Sequence, residues 1–128
     1  MQKNMVRKNI YPIKDIFKLL KDSQKHNSNY IILDDEKVHS NSQKYKLFMT
    51  YGCTCCRCGL KAQYFALERF NDQKYYHLNL YGLKDGKEIL FTKDHIIPKS
   101  KGGKNKLENY QTMCSICNNK KGNTVWYN

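Results

Sequence analysis

The chain has 128 residues, with 23 Lys and Arg residues against 11 Asp and Glu residues and a formal net charge of +12. A chain of this length forms about one domain and buries only about two-thirds of its unfolded surface, so its hydrophobic core is small. No apolar run approaches the ~20 residues of a membrane span, the lysine-rich start lacks the apolar core of a signal peptide, and the positive surplus favours a polyanionic partner such as nucleic acid.

The first part of the chain predicts an amphipathic helix with a basic outer face. Pro12 suits the first turn of a helix, because that position needs no backbone N–H. Apolar residues then follow at the spacing of one helix face, and lysines repeat on another face. We expect a helix over about residues 12–25, whose lysines are either simply solvated or follow a phosphate backbone. The apolar residues are Ile13, Ile16, Phe17 and Leu20, and the lysines are Lys14, Lys18, Lys21 and Lys25.

The middle of the chain predicts short strands and a second helix. The apolar run at 30–33 is a candidate strand. Ser42 can cap a helix that ends at Gly52 in the left-handed conformation. Alternating or aromatic-rich segments bounded by turn residues predict further strands over residues 63–70, 75–81 and 88–93.

The end of the chain predicts a loop, a strand and a helix. Residues 97–106 are rich in Pro, Gly, Lys and Ser and are typical of a loop. We expect a short strand at 110–113 and a short helix at 115–121, which ends before Gly122.

Six cysteines fall in two clusters and predict a zinc site. Because the sequence shows no export signal, we expect a reducing compartment, where thiols act as metal ligands more often than as disulfides. The downstream cluster is one C-x2-C pair, whose tight turn can aim two sulfurs at one ion. The upstream cluster holds two overlapping pairs, and Gly59 favours the second, since a zinc knuckle often needs a positive φ after its last Cys. The expected ligands are Cys55, Cys58, Cys114 and Cys117, with Cys53 and Cys56 as the alternative upstream pair.

Four thiolates fill a tetrahedral coordination shell, which predicts a structural and not a catalytic Zn²⁺ ion. Such an ion contributes on the order of 10 kcal/mol to folding, which compensates for the small core. A disulfide framework is the competing interpretation, and it requires an oxidising compartment.

The last third of the chain holds the motif that carries chemistry. It runs Asp94-His95-Ile-Ile-Pro98, then a lysine-rich loop with two adjacent glycines, then Asn109, and finally Asn118 directly after the last cysteine. This order of residues resembles the HNH endonuclease family, whose name refers to a His, a middle Asn and a third His or Asn. Zinc-stabilised members pair an upstream C-x2-C-G with the downstream C-x2-C, and short phage-encoded members are the most similar.

The resemblance implies a ββα-metal motif, with a strand to His95, a basic loop, a strand near 110–113 and a helix from about Ser115. The expected fold class is α+β: a small zinc-stabilised domain with a β-hairpin or meander, this C-terminal motif and an N-terminal amphipathic helix. We expect residues 1–52 to form an N-terminal helical, basic region packed on or extending the nuclease, and residues 53–128 to form the zinc-stabilised nuclease domain.

The resemblance also implies the roles of the site residues. Asp94 and Asn118 would be oxygen ligands of one catalytic Mg²⁺ or Mn²⁺ ion, and His95 would be the general base of a single-metal hydrolysis of DNA phosphodiester bonds. Asn109 would hold the His ring and span the loop. Because neighbouring residues of a regular strand face opposite ways, Asp94 and His95 can share a site only if the strand bends or ends there.

Lysines near this motif are candidate phosphate contacts, since they can neutralise the DNA backbone on either side of the scissile bond. They are Lys99, Lys101, Lys104, Lys106, Lys120 and Lys121. The alternative to an enzyme is a non-catalytic, zinc-stabilised nucleic-acid-binding module. We expect DNA and not a membrane as the partner, and a cytoplasmic location in a bacterial or phage-infected cell. A homodimer or another protein partner is left open.

Overall fold

The computed structural model describes residues 4–126, and the chain divides into two compact units. The first unit comprises Met1–Ser42 and Gln63–Tyr81, and the second comprises Gln43–Ala62 and Gly82–Asn128. The expected division into an N-terminal region of residues 1–52 and a nuclease domain of residues 53–128 stays a prediction. Within residues 4–126, no helix is long and apolar enough to cross a bilayer.

The first unit is built from one helix and short antiparallel strands. Strand β1 pairs antiparallel with β4, which in turn neighbours β5, while β2 and β3 form a separate two-stranded hairpin. The elements are β1 (Met5–Pro12), α1 (Ile13–Lys25), β2 (Tyr30–Leu33), β3 (Glu36–His39), β4 (Ala62–Phe70) and β5 (His77–Lys84), of which Ala62 and residues 82–84 are assigned to the second unit.

Helix α1 confirms the predicted amphipathic helix. It begins directly after Pro12, and Ile16 and Leu20 are completely buried. Phe17 makes an edge-to-face contact with Phe65 of β4, with ring centroids 5.9 Å apart. The predicted lysine face is exposed throughout. The apolar stripe therefore faces the core of the first unit, and the basic stripe faces solvent.

A buried carboxylate lies on the strands of this unit. Glu68 is completely buried, and its two oxygens accept hydrogen bonds from three side chains. Arg7 Nε donates at 2.9 Å, Asn79 Nδ2 donates at 2.8 Å, and the Tyr81 hydroxyl donates the third bond. Burial of a charge is tolerated when it is paired and hydrogen-bonded in this way.

The second unit contains two helices and an antiparallel strand pair. Strands β6 and β7 pair so that Phe91 lies opposite Cys114 and His95 lies opposite Tyr110. Helix α3 follows β7 without an intervening residue, which gives a strand–loop–strand–helix order. The elements are α2 (Gln43–Tyr51), β6 (Lys87–His95), β7 (Tyr110–Cys114) and α3 (Ser115–Lys121), with short 3₁₀ turns at Lys99–Lys101 and Leu107–Asn109.

These elements confirm the expected α+β class, with three α-helices among the described residues and antiparallel strand pairs. Strands β1 and β3 were not expected. The residues of β1 are nearly all exposed and show no alternation of apolar and polar residues, which is typical of an edge strand. Strand β3 follows a tight turn in which Asp34 and Asp35 both have positive φ, a conformation more often signalled by Asn-Gly.

Candidate functional site

The four expected zinc ligands converge in the second unit. The Sγ atoms of Cys55, Cys58, Cys114 and Cys117 all lie within 4.8 Å of one another. The Sγ atoms of Cys58 and Cys114 are 3.8 Å apart. A tetrahedral Zn²⁺ with Zn–S bonds of about 2.3 Å has sulfur–sulfur edges of about 3.8 Å. These four cysteines are therefore positioned to bind a metal ion, as expected for structural zinc.

A short knuckle presents the first two sulfurs. The backbone N–H of Cys55 donates to Leu60 O at 2.8 Å, and that of Gly59 donates to Cys55 O at 3.1 Å. Gly59 has φ +78°, the left-handed conformation that its position after Cys58 predicts. The other two sulfurs come from the junction of β7 with α3, since Cys114 ends the strand and Cys117 lies one helical turn later.

The electrostatics of the cluster suit a cation. Burial alone would raise the pKa of Cys55, but backbone N–H groups of Cys58, Cys114 and Arg57 hydrogen-bond to its sulfur and lower that pKa to about 6. Burial, together with the neighbouring thiols, raises the pKa of Cys117 to about 12. Because thiolates this close repel one another, a divalent cation is what allows all four to ionise together.

The alternative pair, Cys53 and Cys56, does not join the cluster. Burial raises the pKa of both thiols to about 11, so both remain protonated at neutral pH. All six cysteines lie in the described part of the chain, and each is a free thiol. The structure therefore selects the second upstream pair and contains no disulfide among these residues.

The candidate base and the two candidate metal ligands, but not Asn109, line one cleft of about 470 Å³ in the second unit. Asp94, His95 and Asn118 all contribute to its wall, together with Lys99 and Lys121. Asp94 and His95 are consecutive residues at the end of β6, where they lie opposite Gln111 and Tyr110 of β7. The strand ends at this point, which is one of the two conditions under which these neighbours could share a site.

Asp94 is a buried carboxylate, with 6% of its surface exposed. Gln111 Nε2 donates to its Oδ2 at 3.0 Å. Lys121 Nζ lies 3.1 Å from Oδ2 and 3.4 Å from Oδ1, and it also donates to the carbonyl oxygen of His95 at 2.8 Å. The carboxylate therefore already has a cationic partner from its own chain.

Asn118 is oriented by a hydrogen bond from its own amide nitrogen. Its Nδ2 donates to Thr92 Oγ1 at 2.8 Å, and the Thr92 hydroxyl donates to Met113 O at 2.7 Å. This bond leaves the Oδ1 of Asn118 as the atom that can face a ligand. A carboxylate and an amide oxygen on one cleft are the donor types that hard cations such as Mg²⁺ prefer, so these residues fit such an ion.

His95 is held from two sides. Its Nε2 lies 2.8 Å from Asn105 Oδ1, and its ring makes an edge-to-face contact with Tyr110, with centroids 4.9 Å apart. The Tyr110 hydroxyl in turn donates to Gln43 Oε1 at 2.9 Å. The Asn105 amide oxygen can only accept, which favours the tautomer with hydrogen on Nε2 and leaves Nδ1 free as a base.

Asn109 spans the basic loop but does not hold the His ring, so this part of its expected role is corrected. Its Oδ1 accepts from the Ile97 N–H at 3.0 Å, and its Nδ2 donates to Ile97 O at 3.1 Å and Lys104 O at 2.9 Å. All three hydrogen bonds of the Asn109 amide are therefore made with backbone atoms of the loop. Asn105 is the residue whose side chain hydrogen-bonds to the ring, and its sequence signal is only an acceptor side chain within a lysine-rich loop.

Glycine is favoured at the two adjacent positions of the loop for different structural reasons. A Cβ on Gly103 would lie 1.7 Å from Ile97 O, so only glycine permits this approach of the two backbones. Gly102 has φ +87° with open space around it. The loop that carries Asn105 is thus closed by a backbone contact and by the side chain of Asn109.

The candidate phosphate contacts divide into exposed lysines and one buried lysine. Lys121 is 2% exposed and is engaged with Asp94, so it is not the surface lysine that a direct phosphate contact requires. The difference arises because α3 turns this side chain inward beside β6. The exposed members of the set are Lys99, Lys101, Lys104, Lys106 and Lys120.

Residues 81–126 match the family model described as HNH endonuclease. The matched segment contains β6, the basic loop, β7 and α3, and it lies downstream of the Cys55/Cys58 knuckle. No curated protein and no solved structure is significantly similar to the chain. The match suggests a nuclease and implies a DNA substrate.

Proposed function

We propose that the chain is a metal-dependent endonuclease that hydrolyses DNA phosphodiester bonds by a single-metal mechanism, with His95 as general base. One observation carries the proposal: Asp94, His95 and Asn118 line the same cleft, within the segment that matches HNH endonucleases. A phosphodiester resists attack because its negative charge repels nucleophiles and its leaving alkoxide is poor. The site must therefore supply a base, positive charge and a fixed phosphate.

His95 would take the proton from the attacking water. The contact of its Nε2 with Asn105 Oδ1 fixes the ring and leaves the Nδ1 lone pair available. A positioned imidazole of this kind typically contributes 10²–10⁴-fold to a rate. Asn105 is a positioning residue in this proposal, since it acts through the ring and does not touch the substrate.

Asp94 and Asn118 would hold the divalent ion, Mg²⁺ or Mn²⁺, through their side-chain oxygens. When bound, such an ion neutralises charge on the phosphate and on the leaving 3′ oxygen. Thr92 keeps the amide of Asn118 in the orientation that presents Oδ1. The zinc site would be structural, because four cysteines leave no coordination position for a substrate.

The exposed lysines of the loop and of α3 would hold the flanking DNA. Residues 93–121 contain seven lysines and two acidic residues, so this segment is strongly positive. Contacts of this type position the backbone and carry no sequence information. We therefore expect binding that weakens steeply as the salt concentration rises.

Cleavage of supercoiled plasmid tests the proposal. The His95→Ala variant should cut at least 10²-fold more slowly than wild type in Mg²⁺, because no other group in the cleft replaces the base. The matched control is His26→Ala, which changes an exposed histidine of the first unit and should leave the rate unchanged. Zinc content and the melting temperature of all three proteins are measured in parallel.

Two outcomes would contradict the proposal. Equal cutting by wild type and His95→Ala would remove His95 from the mechanism. Plasmid binding by wild type without cutting, in Mg²⁺ or Mn²⁺ and over a range of pH, would favour the non-catalytic binding module.

A further inference from the structure

Lys121 is buried and paired within the protein, unlike the exposed lysines that are candidate phosphate contacts. Its side chain is 1% exposed, and its Nζ lies within 3.4 Å of both oxygens of Asp94. The same ammonium donates to the carbonyl of His95 at 2.8 Å. The ammonium therefore contacts three oxygen atoms of the strand end that carries the candidate metal ligand and base.

The cleft that Lys121 borders is positive before any ion enters it. Its lining includes the three lysines Lys93, Lys99 and Lys121, and among the described residues Asp94 is its one carboxylate. A divalent cation bound to Asp94 would stand within a few ångströms of the Lys121 ammonium if that ammonium stayed in place. Like charges at such a distance in a partly buried site repel strongly.

We propose that Lys121 and the divalent cation are alternative partners of Asp94, so that the ion displaces the ammonium when it binds. This inference rests on the proposed function, because it takes Asp94 as a ligand of that ion. Without the ion, Lys121 keeps the buried carboxylate paired and hydrogen-bonded. With the ion, the freed ammonium lies beside the cleft, where a phosphodiester anion can become its new partner.

The exchange has a consequence for affinity. Breaking a buried ion pair is costly, so the cation must offset that loss before it gains any net binding free energy. The site should therefore bind a divalent ion weakly in the free protein. It should bind the ion more tightly when DNA is present, because a DNA phosphate can pair with the displaced ammonium. The ion and the DNA should therefore each increase the affinity of the site for the other.

Amine labelling of the wild-type protein tests the displacement directly. The zinc-loaded full chain is treated with a small acylating reagent, with and without saturating Mn²⁺, and modification of each lysine is followed by mass spectrometry. We expect Mn²⁺ to raise the labelling rate of Lys121 at least fivefold. Lys120 is the internal control, because it is its exposed neighbour on α3 and its rate should not change.

A pair of variants tests the competition. Lys121→Met removes the ammonium while retaining a side chain of similar length, and Lys120→Met is the matched control. Calorimetric titration with Mn²⁺ alone should show at least tenfold tighter binding to Lys121→Met and unchanged binding to Lys120→Met. Saturating Mn²⁺ should also raise the melting temperature of Lys121→Met more than that of wild type, because the ion replaces the missing partner of Asp94.

Unchanged labelling of Lys121 in Mn²⁺ would overturn the inference, even if Lys121→Met does not fold. Equal or weaker Mn²⁺ binding by a folded Lys121→Met would overturn it as well. Neither measurement depends on cleavage. A wild-type protein that cuts plasmid but fails these tests loses this inference alone, whereas one that labels as expected but never cuts loses the proposed function.

Discussion

The two compact units hold their buried carboxylates in different ways. In the first unit, Glu68 is completely buried and accepts bonds from three separate side chains. In the second unit, Asp94 depends on Gln111 and Lys121 and lies at the wall of a cleft. The first arrangement is fixed by several donors, while the second can exchange one cation for another.

The two units also differ in net charge. The first unit contains ten Lys and Arg residues and seven acidic ones, whereas the second contains thirteen and four. The excess basic residues of the second unit repel one another. A metal ion bound by the four-cysteine cluster would offset this cost to folding. Both units have a buried apolar core, and the second also has the four-cysteine cluster, which is positioned to bind a metal ion.

The largest expected effect is loss of the zinc site. Cys117→Ser removes one thiolate of the cluster, and a structural zinc ion contributes on the order of 10 kcal/mol to folding. We expect loss of bound zinc, measured by elemental analysis, and loss of cooperative thermal unfolding of the second unit. The control Cys56→Ser changes a cysteine outside the cluster and should keep its zinc. Full zinc occupancy in Cys117→Ser would show that the cluster is not the ligand set.

A smaller effect should follow from removing the fixed carboxylate of the first unit. Glu68→Ala leaves Asn79 and Tyr81 without their buried acceptor, so we expect a loss of about 3–5 kcal/mol in the free energy of unfolding, measured by urea denaturation. Zinc content should stay unchanged. Glu36→Ala is the matched control, because its pair with Lys8 is exposed and contributes little. Equal destabilisation by both variants would mean that burial does not distinguish the two pairs.

The smallest of the three effects concerns the loop. Gly103→Ala forces a Cβ against Ile97 O, so the backbone must shift, and we expect a loss of about 1–3 kcal/mol together with slower plasmid cutting. Gly102→Ala is strained only by its positive φ, at a cost of about 1 kcal/mol, and should cut normally. Normal cutting by Gly103→Ala would show that the position of Asn105 does not depend on this contact.

Elements with a strong local pattern could be predicted from the sequence, and those that depend on distant pairing could not. The apolar spacing after Pro12 and the cysteine pair before α3 each define an element within a few residues. Strand β1 becomes regular only by pairing with β4, more than fifty residues later in the chain. Its own residues carry no period that would reveal it.

The same division holds in the candidate site. Asp94, His95 and Asn118, which the motif assigns to one site, line one cleft, because their order in the sequence specifies a strand end and a helix start. Their hydrogen-bond partners could not be predicted, since Asn105 and Lys121 look like ordinary polar residues of a basic loop and a helix end. Which lysine is solvated and which is buried is decided by the rotation of α3 against β6.

The rotation of α3 about its axis depends on the adjacency of two of its residues. Cys117 and Asn118 are sequence neighbours on a seven-residue helix, so the sulfur that anchors α3 also determines the direction of the amide beside it. One residue inserted between them would turn the rest of the helix by about 100° and carry Asn118 and Lys121 away from β6. This segment should therefore tolerate substitution far better than any change of length.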